Sequence, residues 1–127
     1  MWLFAVALLA DSLRVHHVSV AAAETLHVVE AGAGEPITLI PGLFGSAFGF
    51  RTLVPLLTAA GYRTIIIEPL GIGSSSRPAK ADYSLDAQAA RLAKVLDSLG
   101  IRRTSIVAHS LGEIGRASCR ERVSSVV

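Results

Sequence analysis

Short apolar runs alternate with stretches of helical periodicity along most of the chain. Residues 37–40 (ITLI), 62–68 (YRTIIIE) and 104–107 (TSIV) are rich in β-branched side chains and bounded by Gly, Pro or polar residues. That is the pattern of strands buried on both faces of a parallel sheet. Between the first two, residues 48–60 place Leu53, Leu56, Leu57 and Ala60 on one helical face, and Gly61 stops the helix. Pro55 within that stretch predicts that the regular helix starts late. Between the second and third runs, Ser84 suits an N-cap and Asp86 falls in the first turn. Leu85, Ala89, Leu92, Leu96 and Leu99 follow at spacings of four and three until Gly100. Strand, helix, strand, helix, strand predicts an α/β fold, a mostly parallel sheet with right-handed crossovers and flanking helices.

The first 36 residues are less regular. Residues 15–20 and 26–29 alternate with period two and read as a hairpin, which makes His16, His17 and His27 polar positions on an edge hairpin and not metal ligands. Residues 1–10 (MWLFAVALLA) are apolar but too short for a stable membrane span, which takes about 20 such residues. They also suit the apolar core of a signal peptide, with Ala21-Ala22-Ala23 as an A-x-A cleavage site. Against this, no Lys or Arg precedes the run, and Asp11 and Arg14 interrupt the path to that site. Residues 1–23 therefore stand as a signal peptide or as a first strand, and the compartment, cytoplasmic or exported, stays open.

Each predicted buried strand runs into a loop suited to chemistry. Pro41-Gly42-Leu43-Phe44-Gly45-Ser46 leaves the first, and a glycine-rich loop at a strand's carboxyl end offers backbone N–H groups to a ligand. A second long loop, residues 69–78 (PLGIGSSSRP), leaves the second strand. After the third comes Ala108-His109-Ser110-Leu111-Gly112, with a serine where a strand turns abruptly into a helix and small residues two before and two after it. This is the pattern of a nucleophile elbow, G-x-S-x-G with alanine in first place. His109 is read as a local structural residue and not as a general base.

Composition narrows the field. The 127 residues are 51% hydrophobic, enough for the core of one small domain, and Lys plus Arg exceed Asp plus Glu by only two, so nothing directs the chain to nucleic acid. A single cysteine, Cys119, permits no intrachain disulfide, and the Cys and His spacings match no metal site. No cofactor is implied.

Taken together, ITLIPGLFGS, IIIEPLGIGSSSRP, the DYS before a helix, and IVAHSLG resemble the front half of an α/β-hydrolase fold enzyme of the large esterase-like superfamily, over about residues 24–112. The resemblance implies that Ser110 is the nucleophile and that the backbone N–H groups of Leu43 and Leu111 form the oxyanion hole, with Gly42 and Gly112 as loop and elbow glycines. Oxyanion donors of this kind are worth about 3–4 kcal/mol each. The implied reaction is two-step acyl transfer on a small-molecule acyl substrate. Gly71, Gly73 and Arg77 would shape the pocket wall, and Phe44 and Phe48 suit an apolar acyl group, with at least one of them expected in the core. Serine at the elbow argues against the dehalogenase and epoxide-hydrolase branches, which use aspartate there. The family often has His where Pro41 stands and commonly Asp where Glu68 stands.

Two features depart from a complete hydrolase. The triad of this fold runs Ser, then Asp or Glu, then His, and no histidine follows Ser110. Residues 113–127 (EIGRASCRERVSSVV) carry five charges and no sustained apolar stripe, and EIGRASCRERV resembles a translated sequencing adapter. The expectation is a truncated α/β-hydrolase with a non-native tail over 113–127, three or so central strands, an open last edge and no activity of its own. Two other readings are a dinucleotide-binding module, with Gly42, Gly45 and Gly49 after one strand and Glu68 as a ribose-binding acid, and a non-catalytic relative that binds a small ligand.

Overall fold

The computed structural model describes residues 13–108 and 123–126. Its strands are β1 (Arg14–Ala21), β2 (Glu24–Ala31), β3 (Glu35–Ile40), β4 (Tyr62–Ile67), β5 (Thr104–Ala108) and β6 (Val123–Val126). They form one sheet in the order β1-β2-β4-β3-β5-β6. β3 lies parallel to both β4 and β5, β6 is parallel to β5, and β2 runs antiparallel to β1 and β4. The three strands expected to be parallel are so, in a mixed sheet extended by the β1-β2 hairpin on one side and by β6 on the other.

One expectation changes at the edges. Arg14–Ala21 forms a strand, the hairpin partner of β2, and Ala21 to Ala23 enter the turn before β2, with Ala23 at φ 60°. β5 is not left as an open edge, because Val123–Val126 adds beside it with Thr104 opposite Val123. Residues 113–122 of the presumed tail lie outside the described residues.

Burial follows the strand period of two. Val28, Ile40, Ile65, Ile67 and Ile106 pack on one face with Leu92, Val95 and Leu96, while Leu39 and Ile66 pack on the other with Val54, Val29 and Leu57. One helix covers each face: α1 (Leu53–Ala59) and α2 (Leu85–Ser98). Each fully buried Leu or Ile stabilises the fold by roughly 1.5–3 kcal/mol relative to exposure.

The cap signals around α2 are present in full. Ser84 Oγ accepts from Ala87 N–H at 3.2 Å, and Asp82 Oδ1 in turn accepts from Ser84 N–H at 2.8 Å. At the other end Gly100 (φ 71°) donates to Asp97 C=O and Ile101 to Leu96 C=O, a Schellman closure. α1 departs from expectation. A separate 3-10 turn, Ala47–Phe50, precedes it, and its inward face carries Val54 and Thr58, flanked by Leu53 and Leu57. Leu56 is 65% exposed and Ala60 also faces solvent. With Pro55 in its first turn the helix starts at Leu53, and the face it turns to the sheet carries Val54 instead of Leu56.

Candidate active site

Parallel strands place the exits of β3, β4 and β5 on one edge of the sheet, where ligands of open α/β sheets bind. The register is tight: Leu39 pairs with Ile66, and Ile40, the last residue of β3, pairs with Ala108, the last of β5. Leu43 follows Ile40 by three residues and Ser110 follows Ala108 by two, from strands about 4.8 Å apart. Ser110, Leu111 and Gly112, with His109, lie outside the described residues. Gly42 and Leu43 are described.

Residues 42–45 form a turn closed by Gly45 N–H donating to Gly42 C=O at 2.9 Å, and Phe44 takes its third position with φ 66°. Gly is the usual occupant of such a left-handed position. A Cβ at Gly45 would stand 3.0 Å from Gly42 C=O, so the turn leaves no slack there. Leu43 and Phe44 project outward, 65% and 97% exposed, and Phe48 is 69% exposed with the Arg51 guanidinium 4.1 Å above its ring. Neither phenylalanine joins the core, contrary to expectation, because the turn and the 3-10 segment carry both away from the sheet.

The loop after β4 faces this turn. Gln88, buried on α2, accepts from Leu70 N–H and donates to Leu70 C=O, which fixes where the loop leaves the strand. The loop then closes on itself and on β2 through Gly71 to Ser76 and Ser76 to Thr25 backbone bonds. Between the loops lies a cavity of about 290 Å³ walled by Leu43, Phe44 and Gly45 on one side and Gly71, Ile72 and Arg77 on the other. A neighbouring cavity of about 350 Å³ shares Leu43, Gly71, Ile72 and Arg77 and continues along Leu70, Tyr83 and Leu85. The walls are mostly apolar, and Arg77 is the cation at the mouth, its guanidinium donating to Gly73 C=O at 2.8 Å.

Beneath the two loops sits Glu68, only 1% exposed. Its Oε2 accepts from Ala47 N–H at 2.8 Å, and its Oε1 from Ser74 N–H at 3.0 Å and from His27 Nδ1 at 2.5 Å. Ser75 Oγ donates to Glu68 C=O and accepts from His27 N–H. His27 is therefore no polar position on an edge: β2 is the second strand of the sheet, and the imidazole is turned inward. No sequence spacing marks this pairing, since the two residues are 41 apart. The occupation of Glu68 also removes the acid that a ribose would need in the dinucleotide reading.

A second buried carboxylate lies at the opposite end of the sheet. Glu30, 4% exposed, takes Arg63 Nε at 2.6 Å and His16 Nε2 at 2.7 Å, with Arg14 at 3.9 Å. Burial pushes its pKa up, but Arg63, His16 and Arg14 together outweigh burial and hold it below the ordinary glutamate value. Among the described residues no three His, Cys, Asp or Glu side chains gather as a metal site, and no helix is long and apolar enough to cross a membrane.

Comparison with known proteins agrees with this geometry. The family model described as alpha/beta hydrolase fold matches residues 35–112. The chain is 40% identical over 80 residues to Lipase 3 of a Moraxella species, covering 62% of this chain and 25% of that protein. It is 32% identical over 90 residues to the bifunctional epoxide hydrolase 2 of Sus scrofa, covering 70% of this chain and 16% of that protein. Among solved structures, that of Cfl2 from Burkholderia cenocepacia superimposes with a TM-score of 0.82 at 30% identity, over 90% of this chain and 40% of that one. The chain thus spans a quarter or less of the length of these two curated relatives.

Proposed function

The chain belongs to the α/β hydrolase fold family, and on that premise we propose that it carries the nucleophile and oxyanion donors of a serine hydrolase acting on carboxylic esters or similar acyl bonds. The observation that carries the reading is the pairing of Ile40 with Ala108 at the ends of adjacent parallel strands. It sets the strand ends that precede Leu43 and Ser110 side by side, which supports reading the two segments as parts of one site.

In this reading Ser110 Oγ attacks the acyl carbonyl, the Leu43 and Leu111 N–H groups receive the oxyanion, and the leaving alcohol departs from an acyl-enzyme that water then hydrolyses. The apolar walls at Leu43, Leu70, Ile72 and Tyr83 hold the acyl or alcohol group. Relatives include both a lipase and an epoxide hydrolase, and the serine in the elbow favours the acyl branch. Serine needs a base to become nucleophilic, and no histidine follows Ser110 in these residues. The 127 residues alone are accordingly proposed to be inactive.

The test is to sequence the source DNA across codon 112 with long reads and assay the protein it encodes on p-nitrophenyl butyrate. The expected result is a frame that supplies an acid and a histidine, with hydrolysis abolished by Ser110→Ala. Hydrolysis that survives Ser110→Ala, or ester turnover by the 127 residues themselves, would overturn the corresponding part of the proposal.

A further inference from the structure

We propose that Glu68 is a positioning residue for the oxyanion loop, its carboxylate locking the Leu43 turn and the loop after β4 into one fixed relation. The inference rests on the reading of Leu43 as an oxyanion donor and adds what holds that donor in place.

A carboxylate withdrawn from water is costly unless charged or hydrogen-bonding partners replace the solvent. Glu68 has such partners from three separate segments: His27 on β2, Ala47 at the start of the 3-10 turn, and Ser74 in the loop after β4. The first N–H groups of a helical turn lack partners within it and need an acceptor. Ser46 occupies the N-cap position yet makes no side-chain cap bond, and Glu68 Oε2 takes the role from 21 residues away. Ala47 is thereby pinned. The turn bearing Leu43 is held between that pin and the end of β3, with its own closure at Gly45.

The opposite loop is shaped to the same carboxylate. Gly73 adopts φ 57°, and a Cβ there would collide with the Glu68 carboxyl group. His27 holds the carboxylate from below, and its own backbone N–H is tied through Ser75 Oγ to Glu68 C=O. Leu43 and Gly71, which face one another across the cavity, thus hang from one side chain.

Amide hydrogen exchange on the 127-residue chain and its Glu68→Gln variant tests this. Loss of the charged acceptor should speed exchange of residues 43–47 and 71–75 roughly 10- to 100-fold, the scale of a hydrogen bond to a charged group, with β3 and β4 protection unchanged. The amide protons of Ala47 and Ser74 should move upfield together. Unchanged loop exchange overturns the proposal. Should Glu68→Gln lose protection throughout, Glu68→Asp decides: it keeps the charge but shortens the reach, and must loosen the two loops alone. Equal loosening of β3 and β4 in that variant overturns the positioning role. A butyrate titration followed at the Leu43 amide separates the underlying reading. A shift in the wild-type chain supports Leu43 as an oxyanion donor, and no shift overturns that assignment, whereas the exchange data alone judge Glu68.

Discussion

Ile40 and Ala108 stand opposite one another as the last residues of two adjacent parallel strands. That one pairing sets side by side the strand ends from which two motifs 68 residues apart in sequence, PGLFGS and HSLG, follow. The strands themselves are fixed by local pattern, and so the edge at which chemistry is placed was readable before the contacts were.

Gly73 and Gly100 offer a matched comparison. Both have positive φ, 57° and 71°, so alanine at either adopts a left-handed conformation costing about 1–2 kcal/mol. At Gly100 a Cβ would meet open space, while at Gly73 it would meet the buried Glu68 carboxyl group. Urea unfolding should show Gly100→Ala close to the backbone cost alone and Gly73→Ala clearly beyond it. Equal effects would mean that the loop moves away from Glu68 without penalty.

Ser84→Ala should destabilise the chain by about 1 kcal/mol, the usual value of an N-cap hydroxyl. Its Oγ is the acceptor for Ala87 N–H at the start of α2, the helix that covers one whole face of the sheet. The midpoint of urea unfolding measures it, and Ser84→Asp should restore most of the loss.

Acid should weaken the fold in part through Glu30. Its folded pKa lies below the ordinary 4.5, so its stabilising contribution is complete above that value and disappears as pH falls through the lower folded value. Glu24, held low by its hydrogen bond to Arg91, and Asp82, held low by the Ser84 N–H, act in the same direction. Unfolding followed between about pH 6 and pH 3 should therefore show stability falling with acid, and Glu30→Gln should flatten the curve without levelling it. At neutral pH the same variant should be less stable, because Arg63 loses its carboxylate partner.

What the chain disclosed in advance was whatever depends on neighbours in sequence. The β-branched runs set β3, β4 and β5, and Ser84 and Gly100 bounded α2, because strand burial and helix caps are local effects. The face of α1 was misread because Leu53 and Leu57 belong to two overlapping stripes, and packing on the sheet selects the one completed by Val54 and Thr58. β6 escaped notice because a four-residue strand, VSSV, acquires its place only from the free edge of β5. The Glu68 and His27 pair was hidden for a similar reason. A buried hydrogen bond between β2 and the end of β4 has no periodicity and requires the sheet order to bring its partners together.

Phe44 is where local preference and structure disagree most. A bulky residue at φ 66° is strained, and a side chain 97% exposed recovers almost nothing by burial. Phe44→Gly should therefore raise stability, by about 1 kcal/mol, through relief of the left-handed conformation. Such uncompensated strain beside a candidate site is what a ring kept for contact with a ligand, and not for the fold, would show. The two halves of the argument are separately measurable. The unfolding midpoint should rise in Phe44→Gly, and in a hydrolytically active protein containing these residues the same change should raise KM for p-nitrophenyl butyrate. A variant no more stable than the parent would show that the turn bears the ring without strain, and an unchanged KM would show that the ring does not meet the substrate.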